Sequence, residues 1–128
     1  MIRTHGMTHL ALYVRDVRRS SAFYCALFGM KETYARDGWV QLETPGSMDL
    51  LVFEQNADRA GVAGGIAHFG FRLVNPADAE SAARFVMEAG GTVTSRGEFC
   101  PGEPYIFALD PDGYEVEIAY EPEGRRDR

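Results

Sequence analysis

The chain spells one pattern twice. Gly6-Met7-Thr8-His9 leads into the apolar run LALYV, and Gly65-Ile66-Ala67-His68 leads into FGFRL, with the two histidines 59 positions apart (68 − 9). Self-similarity at a fixed period marks two copies of one supersecondary unit, so a duplicated fold is the strongest constraint on these 128 residues. Histidines at equivalent points of both copies bring two imidazoles to related places, an arrangement suited to a metal site.

Residues 7–14 alternate and are rich in β-formers, predicting a strand. Asp16 is placed to cap a helix with apolar positions at Val17, Phe23, Tyr24, Leu27 and Phe28, and Gly29 to end it. Strands follow at Lys31–Arg36, 38–44 and 48–54, the last two joined by Pro45-Gly46-Ser47. The second copy repeats the order with a strand at 65–73 and a helix opened by Asn75-Pro76. That helix presents Ala79, Ala82, Ala83, Phe85, Val86 and Ala89 and closes at Gly90-Gly91. Strands at 92–95, 105–109 and 114–120 complete it, the last two joined by the hairpin signal Asp110-Pro111-Asp112-Gly113. The predicted class is α+β: one domain of two tandem βαβββ modules, at about 6–54 and 65–120, with a linker at 55–64 and a tail at 121–128. A module of this size holds a marginal core, so the two are expected to share one core or to exchange partners in a dimer.

Charge and hydropathy exclude several function classes. The net charge is −6, and the one dense basic cluster is the terminal Arg125-Arg126-Asp127-Arg128, read as a solvated tail, so no nucleic-acid partner is expected. No apolar run approaches the ~20 residues that span a bilayer, and the N-terminus carries no secretory signal pattern; a cytoplasmic protein with no membrane association is expected. Cys25 reads as core and Cys100 as a loop thiol, with no metal-type spacing between them.

Strand parity then sorts side chains by face. With Leu10, Leu12 and Val14 under the helices, His9 and Tyr13 point the other way, and the same alternation turns out His68 and Arg72 in the second copy. On the last strand Val116 and Ile118 pack inward, leaving Glu115 and Glu117 opposite. Two imidazoles and one carboxylate form a facial triad that leaves open positions on a divalent ion. His9, His68 and Glu117 are therefore the candidate metal ligands, for Fe, Mn, Zn, Ni or Co. Aligning Pro45 with Pro111 sets Leu51 opposite Glu117, so the repeat offers no fourth ligand. Tyr13, Trp39, Phe53, Arg72 and Phe107 are candidate substrate-binding residues; Trp39 reads equally as packing, and Phe53 and Phe107 read first as aromatic core. Glu115 and Glu43 are the candidates for a general base.

The stretches THLALYVRDVRRSSAFYCALFGM, GIAHFGFRL and FALDPDGYEVEIAY resemble the vicinal oxygen chelate superfamily, over residues 6–120. That group includes glyoxalase I, type I extradiol dioxygenases, fosfomycin-resistance enzymes, methylmalonyl-CoA epimerase and bleomycin-resistance proteins. The resemblance implies paired βαβββ modules curling a mixed sheet around a metal cavity, in a homodimer where His9 of one chain meets His68 and Glu117 of the other. It also implies a metal-dependent lyase or dioxygenase acting on a small oxygen-bearing substrate. Departures narrow it. Glyoxalase I has a glutamate ligand, and the epimerase a glutamine, where Leu51 is aligned. Extradiol and fosfomycin enzymes carry a tyrosine ten residues before the ligand glutamate, where this chain has Phe107, and fosfomycin enzymes a threonine at Ala11. Bleomycin-binding members generally lack the ligands, and sequestration of a drug or metabolite without turnover is the alternative function.

Overall fold

The computed structural model describes residues 1–122; the basic tail at 125–128 lies outside them. The chain divides into two compact units, Met1–Val62 and a second beginning at Ala63. Unit 1 runs β1 (Leu10–Val14), α1 (Val17–Phe28), β2 (Lys31–Arg36), β3 (Trp39–Glu43) and β4 (Leu51–Gln55). Unit 2 runs β5 (Phe69–Arg72), α2 (Asp78–Glu88), β6 (Thr92–Glu98), β7 (Pro104–Leu109) and β8 (Glu115–Ala119). The expected sheet takes the form of two four-stranded mixed sheets, ordered β1-β4-β3-β2 and β5-β8-β7-β6. In each, the first strand runs parallel to the last, and the other pairings are antiparallel.

Each helix covers one face of its own sheet. In α1, Asp16 Oδ1 accepts the N–H groups of Arg18 (2.9 Å) and Arg19 (3.3 Å), satisfying donors that a helix start leaves open. Gly29 closes it at φ +67°, a left-handed conformation that costs glycine little, with its N–H on the Cys25 carbonyl. Phe23 and Tyr24 are buried, and the Tyr24 ring lies 5.5 Å from that of Phe53 of β4, tilted by 33°. The α2 face is built of small residues, Ala79, Ala82, Ala83 and Val86, all buried. Two expectations for this helix fail. It begins at Asp78, because Asn75 takes the Ala77 N–H on Oδ1 (2.9 Å) and the Asp78 N–H on its carbonyl, holding a turn before the helix. Phe85 faces solvent beneath the Arg84 guanidinium instead of joining the core.

The duplication extends to irregularities. Both β2 and β6 carry a bulge, at Thr33 and Thr94, where the ladder skips one residue. The Thr33 hydroxyl donates to the Gln41 carbonyl (3.4 Å), and the Thr94 hydroxyl to the Phe107 carbonyl (3.2 Å). In the β7–β8 hairpin, buried Asp110 accepts the Asp112 and Tyr114 N–H groups on Oδ1, and Gly113 takes φ +92°.

Candidate functional site

The open face of unit 2 brings two of the three candidate ligands together. β8 turns Val116 and Ile118 into the core and Glu117 outward, as a strand with one covered face must. Gly70 of β5 and Phe107 of β7 flank Glu117 in register. A side chain at position 70 would meet the Glu117 backbone at 3.3 Å, so glycine keeps that side clear. His68 directly precedes β5 and sets Nε2 3.2 Å from Glu117 Oε2, with the carboxylate side chain 21% exposed and the imidazole 39%. The Phe107 ring lies 5.0 Å from the imidazole at 82°, steadying its edge-to-face orientation.

His9 occupies the equivalent point of unit 1, directly before β1. Both histidines lie one residue outside the strands predicted to contain them: the β1–β4 ladder opens at Leu10↔Leu51, the first residue of β4, and the β5–β8 ladder opens at Phe69↔Val116, one residue after β8 begins at Glu115. Thr8 Oγ1 is 2.6 Å from His9 Nδ1, leaving Nε2 as the outward nitrogen. Among the described residues, no three His, Cys, Asp or Glu side chains gather as a metal-holding group.

The ladders correct the place of the missing fourth ligand. Leu42 pairs with Leu51 across the first hairpin, nine residues on (51 − 42), whereas Ala108 pairs with Val116 across the second, eight residues on (116 − 108). The first connection is one residue longer, so alignment by turn prolines slips by one. Ala11 pairs with Val52 as Gly70 pairs with Glu117. Val52, not Leu51, holds the position equivalent to Glu117.

The remaining candidates separate by face. Phe107 is half-buried beside the His68–Glu117 pair. Phe53 is fully buried under α1 and is core, not a pocket wall, because β4 alternation sends it to the helix side. Tyr13 and Trp39 share the open face of unit 1, each in register with Glu54, Tyr13 under the Arg59 guanidinium (4.8 Å) and Trp39 beside that of Arg36 (5.5 Å). Arg72 pairs with Glu121 at 3.5 Å. Glu115 is exposed at the start of β8, two residues from Glu117 on the same face, and Glu43 of unit 1 is in register with Lys31. The Cys100 loop thiol is half-buried, not fully exposed, and donates to Glu103 Oε2 at 2.9 Å. Sequence reading passed over Tyr105, Phe99 and Gly97, which adjoin Phe107; a glycine inside a strand was the available signal.

The family profile of the Glyoxalase/Bleomycin resistance protein/Dioxygenase superfamily matches residues 6–118. The chain belongs to this superfamily. It is 33% identical over 122 residues to the uncharacterised protein PA2024 of Pseudomonas aeruginosa, covering 89% of this chain and 87% of that one. It is 26% identical over 125 residues to the catechol-2,3-dioxygenase of Bacillus subtilis, covering 92% of this chain but 43% of that protein. Among solved structures, the fosfomycin resistance protein FosX of Listeria monocytogenes shares the fold at a TM-score of 0.80 and 16% identity, covering 97% and 99% of the two chains. The superfamily includes lyases and dioxygenases, and its members use divalent metals. No helix among the described residues is long and apolar enough to cross a membrane.

Proposed function

We propose that the protein is a metal-dependent enzyme of the vicinal oxygen chelate superfamily, holding a divalent ion through His9, His68 and Glu117 and chelating two neighbouring oxygens of a small organic substrate. The observation that carries this reading is the His68–Glu117 pair. Two donors each about 2.1 Å from one ion and at a right angle are about 3 Å apart, and these two stand at 3.2 Å. A neutral imidazole and a carboxylate are the donor chemistry such an ion takes. The contact between Thr8 and His9 Nδ1 supports the third ligand, since a partner on one ring nitrogen fixes the other for ligation. Bound there, a divalent ion supplies Lewis acidity and open coordination positions, with the reaction of lyase or dioxygenase type. The protein's own groups contribute orientation: Phe107 borders the imidazole, and Glu115 offers a carboxylate on the same strand face.

His9 reaches the pair from the same chain or from a second copy, and a cytoplasmic homodimer with a shared site is the arrangement we favour. The test is metal analysis of protein purified without chelator. Near-stoichiometric Mn, Fe, Co, Ni or Zn is expected, falling at least about tenfold in affinity in His68→Ala and Glu117→Gln. Wild-type protein that binds none of these metals would sink the reading. Sequestration without turnover would instead show as ligand affinity that survives removal of the metal.

A further inference from the structure

Beside the His68–Glu117 pair, unit 2 lays out aromatic rings in a row. The Phe107 ring is 5.0 Å from the His68 ring, Tyr105 is 5.6 Å from Phe107, and Phe99 stacks on Tyr105 at 4.4 Å and 24°. Phe107 and Tyr105 stand on one face of β7, and Phe99 caps the row from the β6–β7 loop, 56% exposed. Polar groups with solvent on one side do not need such a row, and a core does not leave it open.

Gly97 makes the row possible. It pairs with Tyr105 across β6–β7, and a Cβ there would lie 2.8 Å from the Tyr105 hydroxyl and 3.1 Å from Cζ. The phenol therefore leans across β6 into space that any side chain would fill. The φ of Gly97 lies outside the left-handed range, so its backbone does not require glycine; the missing side chain is what matters.

The charges on this face are one-sided. Glu115 and Glu117 point into it, and strand register sends Arg96 to the opposite, helix-covered side with Ile106. Besides His68, the cation that register places on this face among the described residues is Arg72, and its guanidinium is engaged by Glu121 at 3.5 Å. On this face of unit 2 a phosphonate or carboxylate body would meet the Glu115 carboxylate and an arginine already paired with Glu121. An uncharged flat ring would meet other rings, whose stacking adds to apolar burial.

We propose that Phe107 and Tyr105, the latter seated by Gly97, select the part of the substrate that does not touch the metal, and that they select an uncharged aromatic body. The proposal rests on the metal reading above, because the chelated oxygens tether that body beside the row. Tyr105 and Gly97 are positioning residues for the ligand ring, and neither touches the His68–Glu117 pair.

Three hydroxamates with one chelating head group separate the terms: acetohydroxamate, benzohydroxamate and phosphonoacetohydroxamate, titrated into manganese-loaded protein. Benzohydroxamate is expected to bind at least about tenfold tighter than acetohydroxamate, and phosphonoacetohydroxamate no tighter than acetohydroxamate. Gly97→Ala displaces the end of a flexible side chain, so it is expected to fold and to take up manganese as the wild type does. In Gly97→Ala the benzohydroxamate advantage is expected to shrink to less than about threefold, with acetohydroxamate affinity unchanged, and in Phe107→Leu the advantage is expected to shrink likewise. Equal binding of all three probes by the wild type, or tightest binding of the phosphonate, would overturn the proposal. So would a full benzohydroxamate advantage in both variants. Wild-type protein that takes up no manganese would instead sink the chelating site, and the ring preference measured on that metal-free protein would then decide the aromatic row by itself.

Discussion

Glu117 is a carboxylate between two buried aliphatic neighbours, Val116 and Ile118. Strand alternation alone makes that tolerable, because it faces the open side of the sheet. Its position was legible from parity, and so was its company with His68 on the same face. The opposing residue of the first module was not, because parity says nothing about loop length and the first hairpin holds one residue more than the second. Only the ladder identifies Val52. That correction can be tested by putting a carboxylate at each position. Val52 and Leu51 are both buried, so Val52→Glu and Leu51→Glu should each lower the melting temperature of metal-free protein, as an uncompensated buried carboxylate does. If the repeated histidines meet on one ion, Val52→Glu supplies a fourth ligand. Zinc should then raise its melting temperature by several degrees more than that of the wild type, through ligand linkage, and Leu51→Glu should gain nothing extra. Identical zinc responses in the two variants would show that the modules do not oppose their equivalent residues.

The elements differ in how far their own sequence dictates them. α1 is fixed locally, by Asp16 at one end and Gly29 at the other, and sequence placed both. α2 has no side-chain cap at Ala77 and starts later than Asn75-Pro76 suggested, since the asparagine closes a turn of its own. Its face of alanines buries little, and Phe85, counted toward that face by periodicity, stays outside. Strand faces were easier to read than strand ends. β1 stops short of His9 because pairing requires a partner and β4 begins only at Leu51, whereas β5 starts after His68 although β8 already extends to the facing Glu115. The aromatics on β4 and β7 expose the limit of composition as a guide, since Phe53 and Phe107 look alike in sequence but belong to opposite faces. Phe53→Ala should cost about 3–5 kcal/mol of unfolding free energy by opening a cavity beneath Tyr24. Phe107→Ala, on the open face, should cost about 1 kcal/mol or less, as substitutions outside the core do. Urea denaturation of both variants measures the difference, and equal losses would put Phe107 in the core and remove it from the site.

At the scale of the whole molecule, the duplication leaves each unit with one histidine before its first strand, while only unit 2 holds a carboxylate at the matching place on its last. One chain therefore carries one complete set of three candidate ligands, divided between two units. Whether an ion draws on one chain or two is a question of symmetry. In a two-fold dimer with exchanged ligands, each ion takes His9 from one protomer and His68 with Glu117 from its partner. His9→Ala and His68→Ala proteins then fail separately but complement when mixed. Of the two sites in a mixed dimer, one combines both lesions and the other combines neither. Random reassortment makes half the dimers mixed, so about a quarter of the wild-type sites should return. Ligands drawn from a single chain predict none, since every chain carries a lesion. Metal uptake by the two variants, co-refolded in equal amounts and compared with each alone, reads the difference directly. Recovery near a quarter assigns the site to the dimer, and no recovery in a verified mixed dimer assigns it to the protomer.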